Sequence, residues 1–409
     1  MKEVLRLMKR GKNMNYNFET TVPRYGVGSS KWDELQALWP QADADVIPFS
    51  MADMEFELAP EIKAGLKEFI DTTILGYACP TDKYKQVVCN WQKTRNNWEA
   101  RPEWILLTHG VVDAFFEAIK CYTKENEGVI LFTPVYYPMY NAISRNKRVL
   151  RDCPLVKNGS TYDIDFALLE QYAQEPTTKL LILCSPHNPC GRVWKKEELE
   201  HIGQICNANG VLVISDEIHS DLLMPGFHHT VYAALNKECE QNCIIMTAPS
   251  KTFNLAGLQT STIFIPNEKL RQLFYAEQQT GVNVPRLNSL GYAACQIAYT
   301  ECTNWLEECL QVINTNKNLV VSFLALHFPQ IEVCDMQATY LLWMNWRGLG
   351  LTYQELEHLN RTKAQLFFDE GYVFGGPGQG FERWNLACPT RYVQAALDRM
   401  LKTYTRYAK

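Results

Sequence analysis

Residues 179–221 read KLLILCSPHNPCGRVWKKEELEHIGQICNANGVLVISDEIHSD: an apolar run, a polar turn, an amphipathic stretch and a second apolar run. Leu199, Ile202 and Ile205 recur at helical spacing and Gly210 follows as a stop signal, which predicts a helix in the middle of the stretch. The short apolar runs on either side read as strands. Strand, helix, strand is the repeating unit of a parallel sheet.

Working outward, the same alternation continues. WILLT (104–108), GVILFTP (128–134), CIIMTAPS (243–250) and STIFIP (261–266) are further apolar runs separated by amphipathic segments. The pattern predicts an α/β fold with a mostly parallel sheet. After residue 286 helical stretches run to about 326, followed by TYLLWMNW (339–346), more helix and the glycine-rich FGGPGQGFERWN (374–385). That change predicts a second, smaller α+β domain.

Composition narrows the function. The 409 residues are 46% hydrophobic with a net charge of -5, and no basic stripe is present to meet a phosphate backbone, so nucleic acid is not an expected partner. No apolar segment reaches the roughly 18 to 20 residues that cross a bilayer, and the start, MKEVLRLMKRGKNMNY, mixes its few apolar residues with basic ones. Neither secretion nor membrane insertion is expected. Fourteen cysteines without a C-x-x-C pair read as reduced, mostly buried thiols of a cytoplasmic protein. Eight histidines include one adjacent pair, His228 and His229, without metal-ligand spacing, so no metal is expected.

Open α/β sheets bind ligands beyond the carboxyl ends of their strands. Here the apolar runs break into TPVYYP, CSPHNPCG, SDEIHSD and TAPSK, which bring Tyr136, Asn188, Asp216, Ser250 and Lys251 to one edge. Singly these are turn residues, caps and a solvated charge. Together they match the needs of pyridoxal 5'-phosphate: an amine for its aldehyde (Lys251), an anion for its ring nitrogen (Asp216), a donor for its phenolic oxygen (Asn188) and an aromatic face (Tyr136). LLTHGVVDAFFEAI adds a strand, a glycine turn and a helix start, where the amides of Gly110 and Val111 suit a phosphate, with the Ser250 hydroxyl beside them.

With these residues in view, SPHNPCGRVW, SDEIHSDL and APSKTFNLAGL resemble the fold-type I pyridoxal phosphate enzymes of the aminotransferase class I/II superfamily, and more narrowly the MalY/PatB-like cystathionine β-lyases, or C-S lyases. The likeness runs from Met14 to near the end of the chain. It implies an N-terminal arm with part of a small domain (1–55), a cofactor-binding large domain (56–285) and a C-terminal small domain (286–409). Aminotransferases of this fold usually carry a tyrosine three residues after the aspartate and an arginine eight after the lysine; His219 and Gln259 stand there. The histidine typifies the lyase group and is counted with the cofactor-binding residues.

The resemblance further implies that Tyr77, in ILGYACP, reaches the phosphate of a second subunit, hence a homodimer with shared active sites. It makes Arg383, in the R-x-N motif, the binder of a substrate carboxylate. Thr390 after ACP and Cys190 inside the N-P-x-G turn depart from the family pattern. The implied activity is β-elimination on L-cystathionine or another S-substituted cysteine, giving a thiol, pyruvate and ammonia. An aminotransferase shares the lysine, aspartate and asparagine and stays open as the alternative, with a non-catalytic binding module behind it.

Overall fold

The computed structural model describes residues 14–43, 46–280 and 288–407. The N-terminal extension at 1–13 and the boundary expected at 285/286 lie outside the described residues.

The strands in chain order are β1 (Ile105–Thr108), β2 (Gly128–Thr133), β3 (Val149–Pro154), β4 (Val156–Asn158), β5 (Thr161–Asp163), β6 (Thr178–Cys184) and β7 (Leu212–Asp216). They continue with β8 (Cys243–Thr247), β9 (Ser261–Phe264), β10 (Glu332–Val333), β11 (Leu341–Asn345), β12 (Asp369–Glu370) and β13 (Phe381–Asn385). Among the described residues, seven strands form the central sheet in the order β1-β9-β8-β7-β6-β2-β3. The steps between β8, β7, β6, β2 and β3 are parallel, while β9 runs antiparallel to both β8 and β1. The expected mostly parallel sheet is therefore mixed at one edge.

Every residue of β2, β7, β8 and β9 is buried, which explains why those runs lack alternation. Their two faces belong to separate clusters, with Ile130, Leu181 and Val213 on one side and Leu131, Ile182 and Ile214 on the other. Burying each such side chain contributes about 1.5 to 3 kcal/mol. The predicted helix runs from Lys196 to Ala208, buries Leu199, Ile202 and Ile205, and is followed by Gly210 at φ 67°. Of the fourteen thiols only Cys79 is exposed and Cys121 half-buried, so most pack as small apolar groups. No helix among the described residues is long and apolar enough to cross a membrane.

A second sheet, in the order β10-β11-β13-β12, is antiparallel throughout. The chain between 46 and 55 is stitched to it: Phe49 N–H donates to Phe367 O at 2.8 Å, Asn385 N–H to Phe49 O at 3.0 Å and Glu55 N–H to Ala387 O at 2.9 Å. Both ends of the chain thus build the smaller layer. Lys31, buried in the helix Ser30–Leu38, ties that helix down through Asp53 at 3.2 Å and Glu55 at 2.9 Å, and Arg24 binds the same two acids.

Candidate active site

Two cavities meet at the carboxyl edge of the central sheet, and Ala52, Tyr136 and Lys251 line both. The inner one, about 290 Å³, is walled by Gly110, Val111, Asn188, Asp216, His219 and Ser250. The outer one, about 150 Å³, is walled by Glu34, Tyr137, Asp369, Glu370 and Arg383. Every sequence-predicted site residue except Tyr77 borders one of these spaces. Tyr77 is 90% exposed in a single chain, beside exposed Ile74 and Leu75.

Lys251 follows β8 at once, in the short helix Pro249–Thr252, so sheet register fixes its Cα. Its side chain is half-buried, and Nζ donates to Ala52 O at 2.7 Å. Burial and then the Arg383 charge lower its pKa to about 8, against the pull of Asp53, Asp216 and Asp369. A tenth or so of this amine is uncharged at pH 7, far more than at the ordinary lysine value near 10.4.

Asp216 is the last residue of β7 and is buried, with Oδ1 accepting the Ile218 N–H at 3.2 Å. Burial raises its carboxyl to about 7, only partly offset by that bond and by Lys251. A cation brought against it restores the carboxylate. His219 is buried too, and burial followed by repulsion from Lys251 and Arg383 lowers it to about 3, so the ring is neutral. Its Nδ1 has no partner among the described residues. Tyr136 keeps its proton, its pKa raised to about 12 chiefly by burial.

Asn188 is aimed by the turn after β6. A Cβ on Gly191, at φ 69°, would come within 3.2 Å of Met336 Cα, and Gly191 O accepts the N–H groups of Gln337 and Ala338, both at 3.0 Å. Only glycine docks this turn so closely. Asn188 Oδ1 accepts from Arg383 Nη1 at 3.0 Å, which leaves its amide nitrogen as the donor. Arg383, in β13, also donates from Nη2 to Asp369, and its buried Nε has no partner among the described residues. A guanidinium with one donor unused suits a carboxylate.

The phosphate reading needs one correction. Gly110 N–H donates to Ser261 Oγ at 3.2 Å, so this amide is spent inside the protein. Available instead are the first amides of the helix Val111–Tyr122, which have no intrahelical acceptors. What Gly110 supplies is shape: at φ 109° a Cβ there would meet no protein atom within 4 Å. An anion-binding helix start, a carboxyl short of a cation, an amide donor and a neutral imidazole with a free nitrogen together fit a phosphorylated pyridine aldehyde.

Sequence reasoning missed Ala52, Tyr340 and Asp369. Tyr340 donates to Ala52 O at 2.9 Å, so one backbone oxygen serves both the tyrosine and Lys251. Asp369 shares its Oδ2 between Arg383 and the Met51 N–H, the latter at 3.0 Å. No motif marks any of the three; only the fold of the 46–55 segment, the approach of the chain to β11 and the pairing of β12 with β13 bring them in.

Such a sheet, with a lysine, an aspartate and an asparagine at its carboxyl edge and a smaller layer built from both chain ends, is the fold-type I architecture of pyridoxal phosphate enzymes. Residues 44–399 match the family model for aminotransferase class I and II, and the chain belongs to that family. It is 37% identical to the cystathionine beta-lyase PatB of Bacillus subtilis, over 94% of this chain and 98% of that protein. Among solved structures it is similar to cystalysin from Treponema denticola, which contains a pyridoxal 5'-phosphate cofactor, with TM-score 0.94 and 43% identity over 96% of this chain and all of that one. It is also similar to a pyridoxal phosphate-bound C-S lyase from Staphylococcus hominis, with TM-score 0.87 and 28% identity over 96% of this chain and 98% of that one.

Proposed function

We propose that the chain is a pyridoxal phosphate-dependent carbon–sulfur β-lyase that releases a thiol, pyruvate and ammonia from L-cystathionine or related S-substituted cysteines. The observation that carries this reading is the position of Lys251 where two cavities join, one suited to the cofactor and one holding Arg383. The similarity to named cystathionine β-lyases and C-S lyases favours elimination over amino transfer.

In the inner cavity Lys251 would hold the cofactor aldehyde, Asp216 the ring nitrogen and the Asn188 amide the phenolic oxygen. Tyr136 and His219 would pack against the ring, while Ser250 and the Val111 amide would hold the phosphate. When bound, the cofactor supplies an electron sink for the pair left by the departing α-proton. In the outer cavity Arg383 takes the α-carboxylate through its unpartnered Nε and through Nη2, which Asp369 occupies in the free protein, directing the substrate amine towards Lys251. Lys251 Nζ then removes the α-proton as general base, the role for which its lowered pKa suits it. The carbon–sulfur bond breaks with its electron pair leaving on sulfur, which takes a proton to become the thiol, and one water hydrolyses the released enamine to pyruvate and ammonia.

The working unit is a homodimer in which Tyr77 of the partner subunit completes the phosphate site. The exposed apolar run through Ile74, Leu75 and Tyr77 supports this, since such patches mark interfaces. The cytoplasm is its compartment.

The test is covalent. Purified protein should be yellow, and borohydride should bleach it while fixing the cofactor to Lys251. Lys251→Ala should lower pyruvate release from L-cystathionine by ~10² to 10⁴-fold or more. A protein that never takes up the cofactor, or a Lys251→Ala variant keeping over a tenth of the turnover, contradicts the reading.

A further inference from the structure

The outer cavity carries an electrostatic asymmetry. In β12 and β13 Asp369 stands directly opposite Arg383, so backbone register holds its carboxylate against the guanidinium. The Met51 N–H, on a residue at φ 49°, donates to the same oxygen at 3.0 Å. Asp369 is held firmly, yet a fifth of its side chain is exposed.

A substrate α-carboxylate at Arg383 takes over the positive charge that Asp369 neutralises in the free protein. Asp369, still held by the Met51 N–H, remains as an unbalanced carboxylate on the cavity wall. The neighbouring cations do not compensate. Lys31 is held by Asp53 and Glu55, which Arg24 also binds, so that group is neutral. Arg361 is shared between Glu357 and Glu370, a surplus of one negative charge. Glu34, exposed on the wall formed by the helix Ser30–Leu38, adds another. Lys251 works as an uncharged amine in the lyase reading. With the α-carboxylate on Arg383 and the α-amine at Lys251, the sulfur substituent fills the remaining space, where Leu35, Leu38 and Trp39 offer apolar surface to its methylenes.

We propose that Asp369 is a specificity-determining residue: freed from Arg383 by the substrate's α-carboxylate, it receives a cation on the departing sulfur substituent. Preferred substrates are then cysteines S-linked to an ammonium-bearing chain, a second amino acid above all. This inference rests on the lyase reading and deepens it.

The test compares substrates with identical cysteine ends. L-Cystathionine is set against S-(3-carboxypropyl)-L-cysteine, which lacks only the distal amine, and S-(2-aminoethyl)-L-cysteine against S-propyl-L-cysteine. In the wild-type holoenzyme, kcat/KM for pyruvate release should favour the amine-bearing member of each pair by about tenfold, mainly through KM. Asp369→Asn should narrow both ratios to about twofold; any general damage at Arg383 cancels within a pair. Equal rates in the wild type overturn the proposal, as do ratios that survive Asp369→Asn. Should that variant fail to fold, Asp369→Ser is read in its place. Pyruvate formed without discrimination removes this inference alone, whereas no pyruvate from any of the four removes the lyase reading and this inference with it.

Discussion

The amine of Lys251 rests 2.7 Å from the carbonyl oxygen of Ala52, an oxygen that the Tyr340 hydroxyl also engages at 2.9 Å. A backbone oxygen steadies an ammonium far less than a carboxylate would, so burial and the Arg383 charge prevail and the pKa falls to about 8. Capture of pyridoxal phosphate by the apoprotein, which needs the uncharged amine, should therefore rise with pH and level off with a midpoint of about 8. Arg383→Gln removes a charge that lowers this pKa, so the midpoint should move up. Stopped-flow absorbance between pH 6.5 and 9.5 reads both; a flat profile contradicts the account.

Asp216 gives an opposite dependence of stability on pH. Its carboxyl is raised from 3.8 to about 7, so the folded apoprotein binds more protons than the unfolded chain between those values. Stability from this group is full below pH 4 and is lost as pH rises through about 7. Asp216→Asn should accordingly stabilise the apoprotein at pH 8, by roughly 2 to 4 kcal/mol, while weakening cofactor binding. Urea melts of the apoprotein at pH 5 and pH 8 check the sign, and a variant less stable at pH 8 refutes it.

The strand-end residues were legible because Asn188, Asp216 and Lys251 closely follow or end strands built on apolar runs, LLIL in β6, LVI in β7 and IIM in β8. A sheet fully covered by helices writes itself as such runs, and its ligand edge as the polar breaks between them. Ala52 was illegible because it acts through a backbone oxygen, which side-chain identity does not encode. Asp369 works only through its register with Arg383 across β12 and β13. Gly110 was half legible: the helix start reads from the sequence, but the bond from its amide to Ser261 depends on β1 pairing with β9, which sets Thr108 against Ser261. The role proposed for Tyr77 rests on family resemblance, since in one chain it borders neither of the two site cavities.

A shared site makes a prediction for mixed dimers. Tyr77→Phe should lose one hydrogen bond to a charged phosphate, weakening cofactor retention by about 1.5 to 3 kcal/mol. Mixing it with Lys251→Ala, at a cofactor concentration low enough to leave Tyr77→Phe empty, and allowing subunit exchange should rebuild one intact site in each hybrid, returning about a quarter of wild-type activity for a statistical mixture of symmetric dimers. No gain on mixing would assign each site to a single chain.

Arg383→Lys keeps the charge but not the planar fork. Losing one charge-assisted bond to the α-carboxylate should raise KM for L-cystathionine by about 10- to 100-fold with a smaller change in kcat. Steady-state kinetics at saturating cofactor measure the split, and an unchanged KM would put the carboxylate elsewhere.

Elimination and amino transfer part at a single observable, which tests the central claim most directly. The holoenzyme is incubated with L-cystathionine in excess over sites, without any 2-oxo acid. A β-lyase should go on releasing pyruvate and thiol in equal amounts over many turnovers while the cofactor keeps its aldehyde absorbance. A reaction that stops after one equivalent per site, with the cofactor in its amine form and turnover restored only by adding a 2-oxo acid, would make the chain an aminotransferase and contradict the account.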